Sequence, residues 1–181
     1  DGIPEASVYN TREESEDETK PAYVAMIGDV GYMSLVSAVA ASKNDEIITL
    51  YENSAGGGIM LDKEAEKNIT IDLGGYTYTI ANEPVGSRGY ESQALHLETG
   101  NTVAIKNGTI ACTPDSRVQM LVQNYCDLTL TDVTLDGSNV NGVYVLSNNC
   151  GNVLLDGNTS ILTKENQIAF DTCKFREAIV P

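Results

Sequence analysis

Short stretches of alternating apolar and polar residues recur along most of the chain. Three of them share the same alternation, which is interrupted by Asn, Asp or Gly: TVAIKNGTI (102–110), DLTLTDVTL (127–135) and NVLLDGNTSI (152–161). Each is typical of a short strand with one buried face. Ile105, Leu130 and Leu155 hold equivalent places in the three stretches and follow one another at intervals of 25 residues.

A constant interval of this size predicts a parallel β-helix, in which each coil of the chain stacks on the one before it. Corresponding strands then lie about 4.8 Å apart. Register is specified strongly, because a slip of one residue turns every apolar side chain outward. The predicted inward ladders are Leu95–Met120–Val143, Leu97–Val122–Val145 and Ile105–Leu130–Leu155.

The same alternation predicts earlier strands in EIITLYE (46–52), GGIML (57–61) and NITIDLGGYTYTI (68–80). Before them, SLVSAVAAS (34–42) predicts a short helix, because Ser34 suits an N-cap and Leu35, Ala38, Val39 and Ser42 share one face. A helix at this place is expected to cap the apolar end of the β-helix.

These features divide the chain into a polar leader and one domain. Residues 1–21 are acidic and predict a linker, whereas residues 22–181 form a single all-β domain whose coils occupy about 46–163. Residues 164–181 lose the alternation and predict a C-terminal cover. The SAGGG stretch at 54–58 predicts a flexible turn between coils, because it lacks the residues of a phosphate-binding loop.

Asn107 and Asp132 fall in register at a bend, directly after the inward Ile105 and Leu130. Such residues hydrogen-bond to turn backbone and along a stack, so the pattern favours a structural role for both. Gly157 interrupts this polar series in the next coil.

The net charge of −15 argues against nucleic acid and anionic lipid as partners. It suits a soluble extracellular protein and is compatible with weak calcium binding, although solubility alone also accounts for it. No apolar run approaches the ~20 residues that membrane insertion requires. Without a CxxC pair, the four cysteines do not suggest a zinc site. Their even number would permit disulfides, but we expect buried free thiols at Cys112, Cys126, Cys150 and Cys173.

One set of residues suggests a ligand-binding surface. His96 lies between two inward leucines and is expected to point outward, beside an aromatic ring, amides and a carboxylate that suit a glycan or a protein. The expected register places Leu121 and Tyr144 beside His96 on this face, flanked by Glu98 and Gln123, and these five are the candidate ligand-binding residues. No cofactor or metal ligand set accompanies them.

Several segments together resemble the N-terminal cap and first coils of right-handed parallel β-helix domains in bacterial surface proteins, which are pectate-lyase-like in fold and often adhesin-like. These segments are VAMIGDVGYMSLVSAVAAS, DEIITLYEN, NITIDLGGYTYTI and TVAIKNGTI, and the resemblance covers residues 23–163. Where such sequences often carry Asn, this chain has Gly74. The resemblance implies secretion or display at a bacterial cell surface.

An enzymatic alternative follows from the β-helix polysaccharide lyases, which combine a Lys or Arg base with calcium-binding carboxylates. The basic candidates are Arg88, Lys106, Arg117 and Lys164, and the acidic ones are Asp72, Asp132, Asp136 and Asp156. No three carboxylates share a face by register. Asp132 and Asp156 suit the spacing of about 6.5–9.5 Å in inverting glycoside hydrolases.

The sequence therefore favours a non-catalytic surface or secreted module that binds glycan or protein. A polysaccharide-active enzyme and a structural spacer remain the alternatives. An enzyme requires a cleft with clustered ionisable groups, a binding module requires an exposed aromatic or amide face, and a spacer is polar throughout its exterior.

Overall fold

The alternating stretches form stacked parallel strands in a computed structural model of the protein, which describes residues 23–173. The fold is a parallel β-solenoid of about five turns with one short helix, as the sequence predicts. Its elements are β1 (Ala25–Ile27), β2 (Val30–Tyr32), α1 (Leu35–Ala41), β3 (Glu46–Leu50), β4 (Ser54–Gly56), β5 (Ile59–Leu61), β6 (Asn68–Asp72), β7 (Thr77–Ile80), β8 (Gln93–Leu97), β9 (Thr102–Cys112), β10 (Met120–Asn124), β11 (Asp127–Asp136), β12 (Tyr144–Asn149), β13 (Asn152–Asp156), β14 (Ser160–Leu162) and β15 (Ile168–Cys173). The predicted leader at 1–21 lies outside the described residues.

The strands form two sheets that enclose one apolar core. The first sheet has ten strands, and its main path runs β13-β11-β9-β6-β3-β1-β2; the second sheet has five strands in the order β15-β12-β10-β8-β5. Except for the antiparallel pairs of β1 with β2 and β3, all strand pairs in the two sheets are parallel. The SAGGG stretch is therefore not only a turn, because β4 pairs with β7 in the first sheet.

The predicted ladder of the first sheet is confirmed. Ile105 pairs with Leu130, and Leu130 pairs with Leu155. Ile71 extends the same ladder by pairing with Ile105. Three of these four side chains are buried, whereas Leu155 is 43% exposed because no described strand stacks on the outer edge of β13.

The two ladders predicted for the second sheet are wrong, by two residues in β10 and by three in β12. Leu95 pairs with Val122 instead of Met120, and Val122 pairs with Leu146. Leu97 stacks on Asn124 instead of Val122. The residues that replace the expected Val143 and Val145 in these two ladders are Leu146 and Asn148.

Corner length explains this shift of register. The chain passes from the second sheet to the first through four residues between Leu97 and Thr102, but through only two between Asn124 and Asp127. The first sheet keeps its interval of 25 residues, so the second sheet takes an interval of 27 at this coil. Corners of changing length leave no signal in strand alternation.

Helix α1 caps the N-terminal end of the solenoid, as expected. Ser34 is its N-cap, and the side chain accepts a hydrogen bond from the N–H of Ser37. Leu35, Ala38 and Val39 are buried within the core. At the C-terminal end of the helix, the Nζ of Lys67 donates to the backbone carbonyls of Ala40 and Ser42. Carbonyls at this end have no hydrogen-bond donor within the helix, and Lys67 supplies one.

The bend in the first sheet is a stack of left-handed residues. Asn107, Asp132 and Gly157 have φ values of 57°, 56° and 60°, a conformation that Asn, Asp and Gly adopt at low cost. Asn107 Nδ2 donates to Asp72 at 3.1 Å, and the Asp132 carboxylate accepts from the N–H of Asn158 at 2.8 Å. A side chain at Gly157 would occupy the space of that carboxylate, since its Cβ would lie 2.5 Å from Asp132 Oδ1.

The stack continues past the predicted boundary at residue 163. Strand β15 lies within the expected cover and pairs in parallel with β12, while residues 174–181 lie outside the described part of the chain. The prediction of four buried cysteines is half right. Cys112 and Cys126 are buried, but Cys150 and Cys173 belong to the last coils and are exposed.

Candidate functional site

The outer face of the second sheet carries two parallel rows of polar and aromatic side chains. In the first row, His96 pairs with Gln123, Gln123 with Ser147, and Ser147 with Asp171. The row lies outside the core because Met60, which pairs with His96, is 44% exposed, whereas its neighbours Ile59 and Leu61 are buried.

The second row lies two residues further along the chain, in the last or the first following residue of each strand. Its members are Glu98, Tyr125, Asn149 and Cys173. The N–H of Tyr125 donates to the carbonyl of Leu97, which sets Tyr125 beside Glu98, and Asn149 pairs with Cys173. Asn149 Nδ2 also donates to Ser147 Oγ at 3.4 Å, so the two rows are in contact.

The structure brings together three of the five candidate ligand-binding residues. His96, Glu98 and Gln123 are neighbours, as the sequence predicts. Leu121 is completely buried and lies two residues before Gln123. Tyr144 lies three residues before Ser147, which occupies the place next to Gln123 that the expected register assigns to Tyr144. The shift of register in the second sheet separates Tyr144 from the group.

His96 is buried, although the sequence predicts an exposed ring. Its side chain is 1% exposed, and Nε2 lies 2.6 Å from Oε1 of Glu98. Nδ1 has no hydrogen-bond partner among residues 23–173. The Glu98 side chain is 30% exposed, so its carboxylate reaches the surface while the buried imidazole of His96 holds it in place.

Tyr125 supplies an aromatic ring at the place where the sequence assigns Tyr144. Its ring centroid lies 5.7 Å from that of His96, with the two planes tilted by 50°. Partial burial raises the pKa of the Tyr125 phenol, and the neighbouring Glu98 and Cys150 raise it further. Tyr125 is therefore a neutral hydroxyl at neutral pH, able to donate and accept hydrogen bonds, on a side chain that is partly exposed.

Sequence reasoning missed Tyr125, Ser147, Asn149 and Asp171. The alternation within each strand indicates correctly that these residues face outward, but their neighbours depend on corner lengths. In the predicted ladder Leu97 stacks on an apolar residue, whereas in the structure it stacks on Asn124, and Asn124 stacks on Asn148. These two polar residues are the one available signal in the sequence that the register has moved.

The arrangement expected of a polysaccharide lyase does not assemble around Lys106. Its Nζ lies 3.3 Å from Asp72 Oδ2 in an ion pair, and Asn107 donates to the other oxygen of the same carboxylate. Within residues 23–173, no group of three His, Cys, Asp or Glu side chains is placed to hold a metal ion. Lys106 and Asp72 therefore neutralise each other at the bend.

Asp132 is likewise engaged in structural hydrogen bonds, because Asn158 donates to its Oδ1 from both backbone and side chain. A cavity of about 230 Å³ lies between α1 and β5 with a mostly apolar lining. Its one basic residue, Lys67, binds the carbonyls at the end of α1. This cavity lacks the clustered ionisable groups of a hydrolytic cleft.

The helix content is limited to one element, and no helix in the described residues has the length and apolar character to cross a membrane. No family model, no curated protein and no solved structure matches the chain. The geometry of the site is therefore the basis for its interpretation.

Proposed function

We propose that this β-solenoid is a non-catalytic module that binds a glycan across the outer face of the second sheet. The observation that carries the proposal is the pair of outward rows, in which amides, hydroxyls, carboxylates and one aromatic ring lie on a rigid parallel sheet. Functional groups on stacked strands repeat about every 4.8 Å, which suits a ligand that itself repeats its polar groups.

The central contact residues are Glu98, Gln123, Tyr125 and Asn149, all of which are partly exposed. Sugars pack their apolar faces on aromatic rings and exchange hydrogen bonds with amides and carboxylates. Glu98 is held by His96 and is therefore preorganised, which reduces the entropy lost on binding. The ring of Tyr125 is the stacking surface.

The proposed location is outside the cell, secreted or displayed on a bacterial surface. The acidic composition and the resemblance of the cap and first coils to bacterial surface proteins support it. A polysaccharide-active enzyme is less well supported, since Lys106 is held in an ion pair with Asp72. A uniformly polar spacer would not require a buried His96 behind Glu98.

The experiment that tests this proposal is a glycan array probed with the purified protein, with and without calcium. We expect a reproducible hit whose affinity falls about 2- to 12-fold in Tyr125→Ala, the effect of losing one aromatic contact of about 0.5–1.5 kcal/mol. Gln123→Ala should weaken the same hit. Incubation with the bound glycan should yield no shorter products.

A matched control is Tyr90→Ala, which removes a tyrosine ring that is 79% exposed and belongs to neither row. This variant should bind like the unaltered protein. Equal losses in Tyr125→Ala and Tyr90→Ala would refute a site on the outer face, and an array without hits would favour protein adhesion or a spacer. Chain shortening of the glycan would instead favour the enzymatic alternative.

A further inference from the structure

Two exposed cysteines meet at the same corner of the last two coils. The N–H of Cys150 donates to the carbonyl of Cys173 at 2.9 Å, and Asn149 pairs with Cys173. Neighbouring parallel strands with an offset of one residue place the two Cα atoms about 6 Å apart. That separation falls within the range of about 4.4–6.8 Å observed in disulfides.

Both thiols belong to the outer side of the second sheet. Cys173 follows Asn149 in the second outer row, and Cys150 lies close enough to Tyr125 of that row to act on its phenol. Cys150 has a positive φ of 67°, so the chain bends there and its side chain leaves the regular alternation of β12. Solvent reaches both residues.

The other two cysteines differ from this pair in every relevant respect. Cys112 and Cys126 are buried, and burial raises the pKa of the Cys112 thiol and raises that of Cys126 to about 12. Thiolate is the reactive form, so both are protected from oxidants. They supply internal controls within the same chain.

We propose that Cys150 and Cys173 form a disulfide that fastens β15 to β12. In the first step, the thiolate of Cys150 attacks a small-molecule disulfide such as oxidised glutathione and releases one thiol. The Cys173 thiolate then attacks the Cys150 sulfur and releases the second thiol. Two cysteine thiols are oxidised, one glutathione disulfide is reduced, and the two protons pass to the released thiols.

The position of this link matters because the last coil is the least buried part of the solenoid. Phe170 of β15 and Leu155 of β13 occupy inward positions, yet they are 39% and 43% exposed. The coil therefore has less apolar contact than the coils before it and opens more easily. A covalent link to β12 holds it in place in an oxidising environment outside the cell.

The test is to equilibrate the purified chain in reduced and oxidised glutathione, block the remaining thiols with an alkylating reagent, and map the peptides. A protease that cleaves before aspartate separates all four cysteines into different peptides. We expect one cross-linked product that joins residues 136–155 to 171–181. Cys112 and Cys126 should be alkylated only after unfolding.

A second measurement follows the midpoint of thermal unfolding. Oxidation should raise it by about 5 °C or more, as a disulfide that closes a loop of this size predicts. Cys150→Ser and Cys173→Ser should each abolish that rise. Glutathione left on either cysteine, a dimer linked through Cys173, or two alkylated thiols under oxidising conditions would each overturn the proposal.

Discussion

Asn124 Nδ2 donates a hydrogen bond to Asn148 Oδ1 at 2.8 Å, between two coils in the interior of the solenoid. The same amide donates to the carbonyl of Cys126 at 2.9 Å, and Asn148 donates to the carbonyl of Gly151 at 2.8 Å. Each amide thus satisfies the backbone of its own corner, and the two bond to each other. Buried polar groups are tolerated in an apolar core when they are bonded in this way.

We expect Asn124→Ala to lower the free energy of unfolding by about 2–4 kcal/mol, because it leaves the buried Oδ1 of Asn148 without its donor and the N–H of Cys126 without its acceptor. Urea unfolding followed by circular dichroism measures the change. The control is Asn141→Ala at an exposed asparagine, which should cost less than about 0.5 kcal/mol. Equal losses in the two variants would contradict the account of the buried pair.

The left-handed bend at Asp132 supports a second prediction. Asp132→Val should cost about 2–3 kcal/mol, since a β-branched residue is strained at a φ of 56° and the hydrogen bonds from Asn158 disappear. Asp132→Asn keeps an acceptor oxygen and tolerates the conformation, so its unfolding midpoint in urea should stay close to that of the unaltered protein. Similar midpoints for the two variants would show that the bend imposes no such requirement.

A third prediction concerns the end of helix α1. Lys67→Met keeps the aliphatic stem but removes the charge that binds the carbonyls of Ala40 and Ser42, so we expect a loss of about 1 kcal/mol in denaturant unfolding. Lys63→Met is the matched control, because the Lys63 side chain is 68% exposed and forms an ion pair with the exposed Glu64. A larger effect at Lys63 than at Lys67 would rule out the capping role.

The pair of Asp72 and Lys106 predicts a dependence on pH. Partial burial opposes ionisation, but the Gly74 N–H, the Asn107 amide and the Lys106 ammonium outweigh it and lower the pKa of Asp72 below 3.8. A folded-state pKa below the unfolded value adds stability above that value, and this contribution is lost as the pH falls through the folded pKa.

Asp72→Asn should therefore reduce the free energy of unfolding by less than about 1 kcal/mol at pH 6, and the difference from the unaltered protein should shrink below about pH 4. Urea titrations at both pH values, repeated with Lys106→Met, measure the coupling of the pair. A difference that grows on acidification would show that the sign of the pKa shift is wrong.

The sequence predicts the first sheet better than the second for a physical reason. The same left-handed bend follows Ile105, Leu130 and Leu155 in each coil. The interval of 25 residues between these side chains is therefore kept in the structure. The corner after Leu97 is two residues longer than the corner after Asn124, which moves Gln123 opposite His96 and Tyr144 away from it. The fold and part of the candidate site follow from alternation, whereas neighbours across coils depend on corner lengths that alternation does not encode.

Helix α1 closes one end of the stack, while β13 and β15 leave the other end with partly exposed inward side chains. Each coil contacts chiefly the coils directly above and below it, so opening spreads through neighbours and starts in the described coil whose inward side chains are least buried. We consequently expect the solenoid to unfold in one direction, from β15 toward α1. We therefore expect amide hydrogens to exchange first in β15 and last beneath the helix, so that a coil's position in the sequence sets the order in which its hydrogen bonds are lost.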